Sequence, residues 1–192
     1  MTASETEARI GPLEPPFTPP VAALLERMMP PGVPPIALFR TFAHNESMTE
    51  AIHGWGSYEL SRRLSVSLRT RELVIDRVTA RLGCEYEWGV HVAFYADKAR
   101  FTSEQVRSLT HGRPADPCWD DDDRLVLQLV DTLVDTADVD DHVWAALASR
   151  FSAAQLLDLV LLAGWYHAIA FAANAARVPL EAGAPRFADC ND

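Results

Sequence analysis

Arg69-Thr-Arg-Glu-Leu-Val-Ile75, followed by Gly83-Cys-Glu-Tyr-Glu-Trp-Gly-Val-His91, is the stretch on which the fold turns. Val74, Ile75, Val78 and Leu82 recur at helical spacing and predict a helix over about 66–82, with Gly83 where a C-terminal cap belongs. A second helix is expected from Cys84 or Glu85 to near Ala99. Cys84, Glu87 and His91 then stand at i, i+3 and i+7, which places a thiol, a carboxylate and an imidazole on one stripe.

That second helix has little room for solvent. Tyr86, Val90, Ala93 and Phe94 read as one core side, while Cys84, Glu87, Trp88, His91 and Tyr95 form the other, with no Lys or Arg before Lys98. A buried carboxylate and imidazole must be paired, and the i, i+4 spacing of Glu87 and His91 allows it. The tight turn at Gly83 folds the preceding helix back, so Glu72 is expected near His91, where a carboxylate would set the tautomer. Cys84 at a helix N-terminus is expected to favour thiolate. Trp88, Tyr95, Tyr86 and His167 are the candidate substrate contacts. His44, His53, His111 and His142 carry no usable signal, and Asn174, in an apolar helix, needs a hydrogen-bond partner.

Working outward, every segment from 36 to about 177 reads as helix, about seven or eight in all, and the fold class is an all-α bundle. Ser47-Met-Thr-Glu50 reads as a capping box starting a helix to about residue 60. Thr102…Gln105 and Ser152…Gln155, each preceded by Phe, offer two further boxes fifty residues apart and suggest a worn internal repeat. The acid runs Asp120–Asp123 and Asp138–Asp141 read as solvated helix starts rather than metal sites. The helix over about 153–177 is apolar nearly all round and is expected at the centre of the bundle.

Residues 1–35 hold nine of the thirteen prolines and read as an extended arm, mobile or lying across a neighbouring subunit, with room for a short helix at 21–29. The organisation expected is thus an arm over 1–35, a helical domain over 36–180 and a tail over 181–192. Three sparse cysteines and no apolar leader point to a cytoplasmic protein without a disulfide framework. The net charge of −10 argues against nucleic acid and anionic membrane as partners, and leaves a small-molecule substrate. Neither a cofactor nor a metal is expected; metal ligation by Glu72, Glu87 and His91 would lack the usual two histidines.

The pattern Arg69-Thr-Arg-Glu72-Leu-Val-Ile…Gly-Cys84-Glu-Tyr-Glu87-Trp-Gly-Val-His91-Val resembles the carboxymuconolactone decarboxylase family, which includes the alkyl hydroperoxidase D-like proteins. The resemblance spans about 36–180 and implies an all-helical, homo-oligomeric protein: a trimer, a hexamer or a dimer-based ring. The family's peroxidase branch carries Glu, eleven residues, then Cys-x-x-Cys-x-x-x-His. Here Glu72, Cys84 and His91 keep that spacing, but Glu87 replaces the second cysteine, which removes the dithiol cycle. Glu87 and His91 instead match the Glu-x-x-x-His of the decarboxylase branch. The resemblance implies cofactor-free acid/base chemistry on a small organic acid or lactone, with His91, Glu87, Glu72 and Cys84 as catalytic candidates. Hydroperoxide reduction through Cys84, or a non-catalytic binding role, are the alternatives.

Overall fold

The computed structural model describes residues 7–190, and within them the chain is all-helical with no strand. Nine α-helices follow in order: α1 Pro19–Met28, α2 Ala37–Phe42, α3 Glu46–Glu59, α4 Leu68–Arg81, α5 Glu85–Ala99, α6 Ser103–His111, α7 Asp121–Thr136, α8 Asp141–Ala148 and α9 Ala153–Ala176, with a 3-10 turn over Phe187–Cys190.

The centre of the bundle is α4. Every residue from Arg71 to Thr79 is buried, and the helix packs against α5, α6, α7 and α9. Such a helix can bury polar residues only if each finds a partner or stays neutral. Arg77 makes a bidentate pair with Asp131 of α7 at 2.7 and 2.8 Å and donates to the Ser108, Leu109 and Gly112 carbonyls. Thr79 donates back to the Ile75 carbonyl. Asp76 has no hydrogen-bond partner, and burial first, then the Glu72 charge, push its carboxyl well above the usual range. The expectation that α9 occupies the centre is corrected. One edge of α9 faces outward, with Leu157, Leu161 and Phe171 exposed at 62%, 48% and 62%. By length and composition α9 could cross a membrane, but ten of its residues are buried within this bundle, and Asp158 accepts hydrogen bonds from Tyr58 and Ser65.

The turn between α4 and α5 sets the geometry of everything downstream. Gly83 adopts φ +62°, the left-handed conformation that costs glycine least. The Cys84 amide donates to the Thr79 carbonyl at 2.8 Å and the Gly83 amide to Ala80 at 3.0 Å, the paired bonds of a Schellman cap. Cys84 is therefore the N-cap of α5 rather than part of its stripe.

Other local expectations are met or displaced for identifiable reasons. Both Thr102/Gln105 and Ser152/Gln155 form reciprocal capping boxes. They start helices of nine and 24 residues, so the likeness stops at the caps and does not mark two equivalent halves. The Ser47 box is not used: Asn45, two residues earlier and itself a strong N-cap, accepts from the Met48 amide, and Glu50 pairs with Arg27 instead. Asp120 and Asp140 cap α7 and α8. Asn174 finds its partner in the Leu82 carbonyl.

Over its described length the proline-rich arm is packed on the bundle rather than loose. Arg9 and Ile10 donate to the Ala176 carbonyl, Leu13 to Arg40, and the Gly11 carbonyl meets His44 Nε2 at 2.9 Å. Val21 and Leu25 of α1 pack on Ala43, with Leu13, Phe17 and Phe39 around them. The tail is equally fixed. Glu181 accepts from the Tyr86 hydroxyl and the Ala37 amide, both at 2.6 Å, and the Phe187 amide donates to Glu85 at 2.7 Å. A Cβ added at Gly89 would lie 2.7 Å from the Pro185 carbonyl oxygen, so the tail runs directly along the α5 backbone.

Gly89→Ala should lower stability by about 1–3 kcal/mol through the forced shift of the tail, although helix propensity alone favours Ala by about 1 kcal/mol. A raised urea midpoint would contradict the close approach. Glu59, fully buried at the end of α3, has its carboxyl pushed up to about 7, mainly by burial. A raised carboxyl stabilises the fold while protonated, and that contribution is lost as pH climbs from the ordinary carboxylate range through about 7. Glu59→Gln should therefore gain on the parent by on the order of 1–2 kcal/mol between pH 5 and pH 8 in parallel thermal melts. A pH-independent difference would count against it.

Candidate functional site

Two helices bring the acid/base residues together, and a third supplies a flanking tyrosine. Glu72 on α4 and His91 on α5 meet because the Gly83 cap folds the two helices onto each other. His91 Nδ1 lies 2.8 Å from Glu72 Oε2, a buried hydrogen bond, and Nε2 lies 3.6 Å from Glu87 Oε2 one turn earlier on α5. The second distance is an ion-pair approach rather than a hydrogen bond. From α9, Tyr166 presents its ring edge-on to the imidazole at 5.0 Å, and Tyr95 flanks it at 5.5 Å. Glu72 is 0% exposed, Glu87 4% and His91 5%.

A cavity of about 380 Å³ opens in front of this group. Its α5 wall is Glu87, Val90, His91, Phe94 and Tyr95, the residues one helical face allows. Leu38, Phe39, Phe42, Trp165 and Ile169 supply apolar and aromatic walls from α2 and α9. Met28 and Met29 close it from the end of the arm, and His53 and Ser57 face in from α3, with Ser57 Oγ 3.4 Å from His53 Nδ1.

Burial raises the Glu87 carboxyl above its ordinary value, and the His91 charge opposes that only in part. Glu87 is thus biased toward its protonated form, beside a ring nitrogen. Burial also raises the Tyr95 and Tyr166 hydroxyls, so both stay protonated donors. Arg71, on α4 beside Glu72, is buried. Its Nε and Nη2 each lie 2.6 Å from Glu72 Oε1.

The single stripe expected for Cys84, Glu87 and His91 does not form. The Cys84 side chain is fully buried among Ala37, Leu38, Phe42 and Ala170 and does not line the cavity. Burial pushes its thiol up to about 12, so the thiolate expected from the helix N-terminus is not favoured. The reason is the Schellman cap, which uses Cys84 to turn the chain. Of the four aromatic or imidazole contacts expected, only Tyr95 lines the cavity. Tyr86 accepts from the Leu38 amide and donates to Glu181, Trp88 packs against Phe187 at 5.1 Å, and His167 lies against Phe171 at 4.4 Å. Tyr86 and Trp88 flank Glu87 in sequence and so point about 100° away from it.

Arg69 and Arg71 take separate roles. Arg69 pairs with Asp123 at 2.6 Å, whereas Arg71 is an interior partner of Glu72. Sequence reading also missed the arm's Met28 and Met29, and His53. Among the described residues no group of three or more His, Cys, Asp or Glu is placed to hold a metal ion.

Comparison with known proteins bears on the fold and the family. No curated protein sequence matches the chain. An uncharacterized peroxidase-related protein from a Silicibacter species superposes with a TM-score of 0.81 at 16% identity, over 97% of this chain and 100% of that one. The debrominase Bmp8, in its apo form, superposes with a TM-score of 0.70 at 14% identity, over 90% of this chain and 92% of its own. At these identities the likeness is one of fold, and it takes in the arm as well as the bundle. Residues 48–117, which carry Arg71, Glu72, Cys84, Glu87 and His91, match the model of the carboxymuconolactone decarboxylase family.

Proposed function

We propose that the cavity is a cofactor-free acid/base site acting on a small, largely apolar organic acid or lactone. The observation that carries this reading is the buried Glu72–His91 hydrogen bond at 2.8 Å, which leaves Nε2 directed toward Glu87 in an apolar cavity. In the proposed cycle His91 Nε2 takes or returns a proton at the substrate, and Glu72 orients the imidazole. Glu87, held toward its protonated form, is the second acid. In a decarboxylation, the bond to the carboxyl carbon breaks and CO₂ departs. The electron pair passes into an enolate, and a proton then returns to carbon. Tyr95 and Tyr166, which line the cavity, would supply hydroxyl donors for the enolate oxygen. The aromatic walls suit a flat ring, and their low polarity strengthens each of these interactions.

A thiol reading, hydroperoxide reduction at Cys84, has the peroxidase-related structural neighbour in its favour. Attack on peroxide would convert the thiol to a sulfenic acid, which an external thiol would have to reduce. Its burial and its raised pKa oppose that role.

Against a panel of muconolactone-type acids, His91→Ala and Glu87→Gln should each cut turnover by about 10²–10⁴-fold while leaving the fold intact by circular dichroism. Parent-level activity in His91→Ala would reject the assignment. For the thiol, peroxide treatment of the native protein followed by mass mapping should leave Cys84 unoxidised until the chain is unfolded. Stoichiometric sulfenic acid at Cys84 under native conditions would reverse the order of the two readings.

A further inference from the structure

We propose that Arg71 is the positioning residue that fixes the tautomer of His91: its guanidinium holds Glu72 as a carboxylate, so that Nδ1 keeps the ring hydrogen and Nε2 is bare toward the cavity. The catalytic meaning of this rests on the acid/base reading above, but the geometry stands apart from it.

Adjacent residues on a helix point about 100° apart and do not ordinarily meet. Arg71 nevertheless bends onto Glu72, and other contacts hold it in that conformation. Its Nη1 donates to the Leu60 carbonyl at 3.1 Å, and the guanidinium lies 4.9 Å from the centre of the Tyr95 ring. Nε and Nη2 both address Glu72 Oε1, which leaves Oε2 for His91 Nδ1. One oxygen thus takes the cation and the other takes the imidazole. Among the described residues Arg71 and His91 are the groups paired with Glu72; Lys98 lies over the Tyr95 ring at 5.1 Å, and Arg27 at the cavity edge pairs with Glu50. Asp76 and Glu87 are the carboxyls nearby, Tyr95 and Tyr166 the hydroxyls, and Arg69, Arg77 and Arg81 are paired with Asp123, Asp131 and Asp135.

The consequence is a question of which atom donates. A carboxylate can only accept, so it demands a hydrogen on Nδ1. Without its counter-charge, a wholly buried carboxylate takes up a proton. Glu72 would then donate to Nδ1, and the ring hydrogen would move to Nε2. The nitrogen facing the cavity would change from an acceptor into a donor, with no change in the positions of the heavy atoms.

Ring-nitrogen NMR on ¹⁵N-histidine-labelled protein, at a pH where His91 is neutral, reads this directly. The parent should show Nδ1 protonated and Nε2 bare. Arg71→Met should exchange the two signals, and Arg71→Lys, which keeps the charge, should restore the parent pattern. A folded Arg71→Met that retains the parent tautomer overturns the proposal, as does a parent with hydrogen on Nε2. Should the Met variant fail to fold, the parent decides: the Arg71 Nε–H should be shifted downfield and protected from exchange, and a freely exchanging Nε–H overturns the proposal. The readout involves no turnover, so full activity in His91→Ala would remove the catalytic reading and leave this one standing.

Discussion

The hydrogen bond between Glu72 and His91 is the contact on which the site depends. It joins two helices rather than two neighbours in sequence, and exists only because the Gly83 cap reverses the chain with the right offset. The same cap consumes Cys84, whose amide closes the α4 C-terminus and whose side chain becomes core. A residue that would look reactive from its position is thereby made structural, and the chemistry passes to the carboxylates and the imidazole.

Charge is the second constraint. Over the nine buried residues from Arg71 to Thr79, α4 carries two arginines, a glutamate and an aspartate in the middle of the bundle. Interior charges are tolerated where each has a counter-charge and a full set of hydrogen bonds. Arg77 meets that condition through Asp131 and three carbonyls, and Arg71 through Glu72 and Leu60. Asp76 does not, and is pushed toward its neutral form. The result is a polar seam through an apolar bundle, ending at a cavity whose remaining walls are mostly carbon. The arm and the tail complete that enclosure: Met28 and Met29 border the cavity, while the tail presses on α5 from behind.

Much of this was legible in the sequence, and what was not shares a cause. Caps with a local signature were readable, including Gly83 and both Gln-containing boxes, because their hydrogen bonds involve residues three to five apart. The meeting of Glu72 and His91 was readable because one tight turn leaves two helices little freedom. Periodicity gives an angle about a helix's own axis but does not say what lies on the far side. That is why α9 was expected at the centre, and why Trp88 was grouped on the side of Glu87. The short helix expected at 21–29 lies close to α1, but how the arm and tail pack was not legible, for another reason. Proline-rich and irregular segments carry no period, and their burial depends on single contacts such as Glu181 with Tyr86 and Ala37.

The claim at the centre is the location of a hydrogen atom, and neutron diffraction from a deuterium-exchanged crystal of the unmodified protein sees it without a substrate or a variant. The account predicts deuterium on His91 Nδ1 pointing at Glu72, none on Nε2, and a deuterated carboxyl at Asp76. Deuterium on Nε2 with Glu72 itself protonated, or an imidazole swung out of the cavity into solvent, would contradict it.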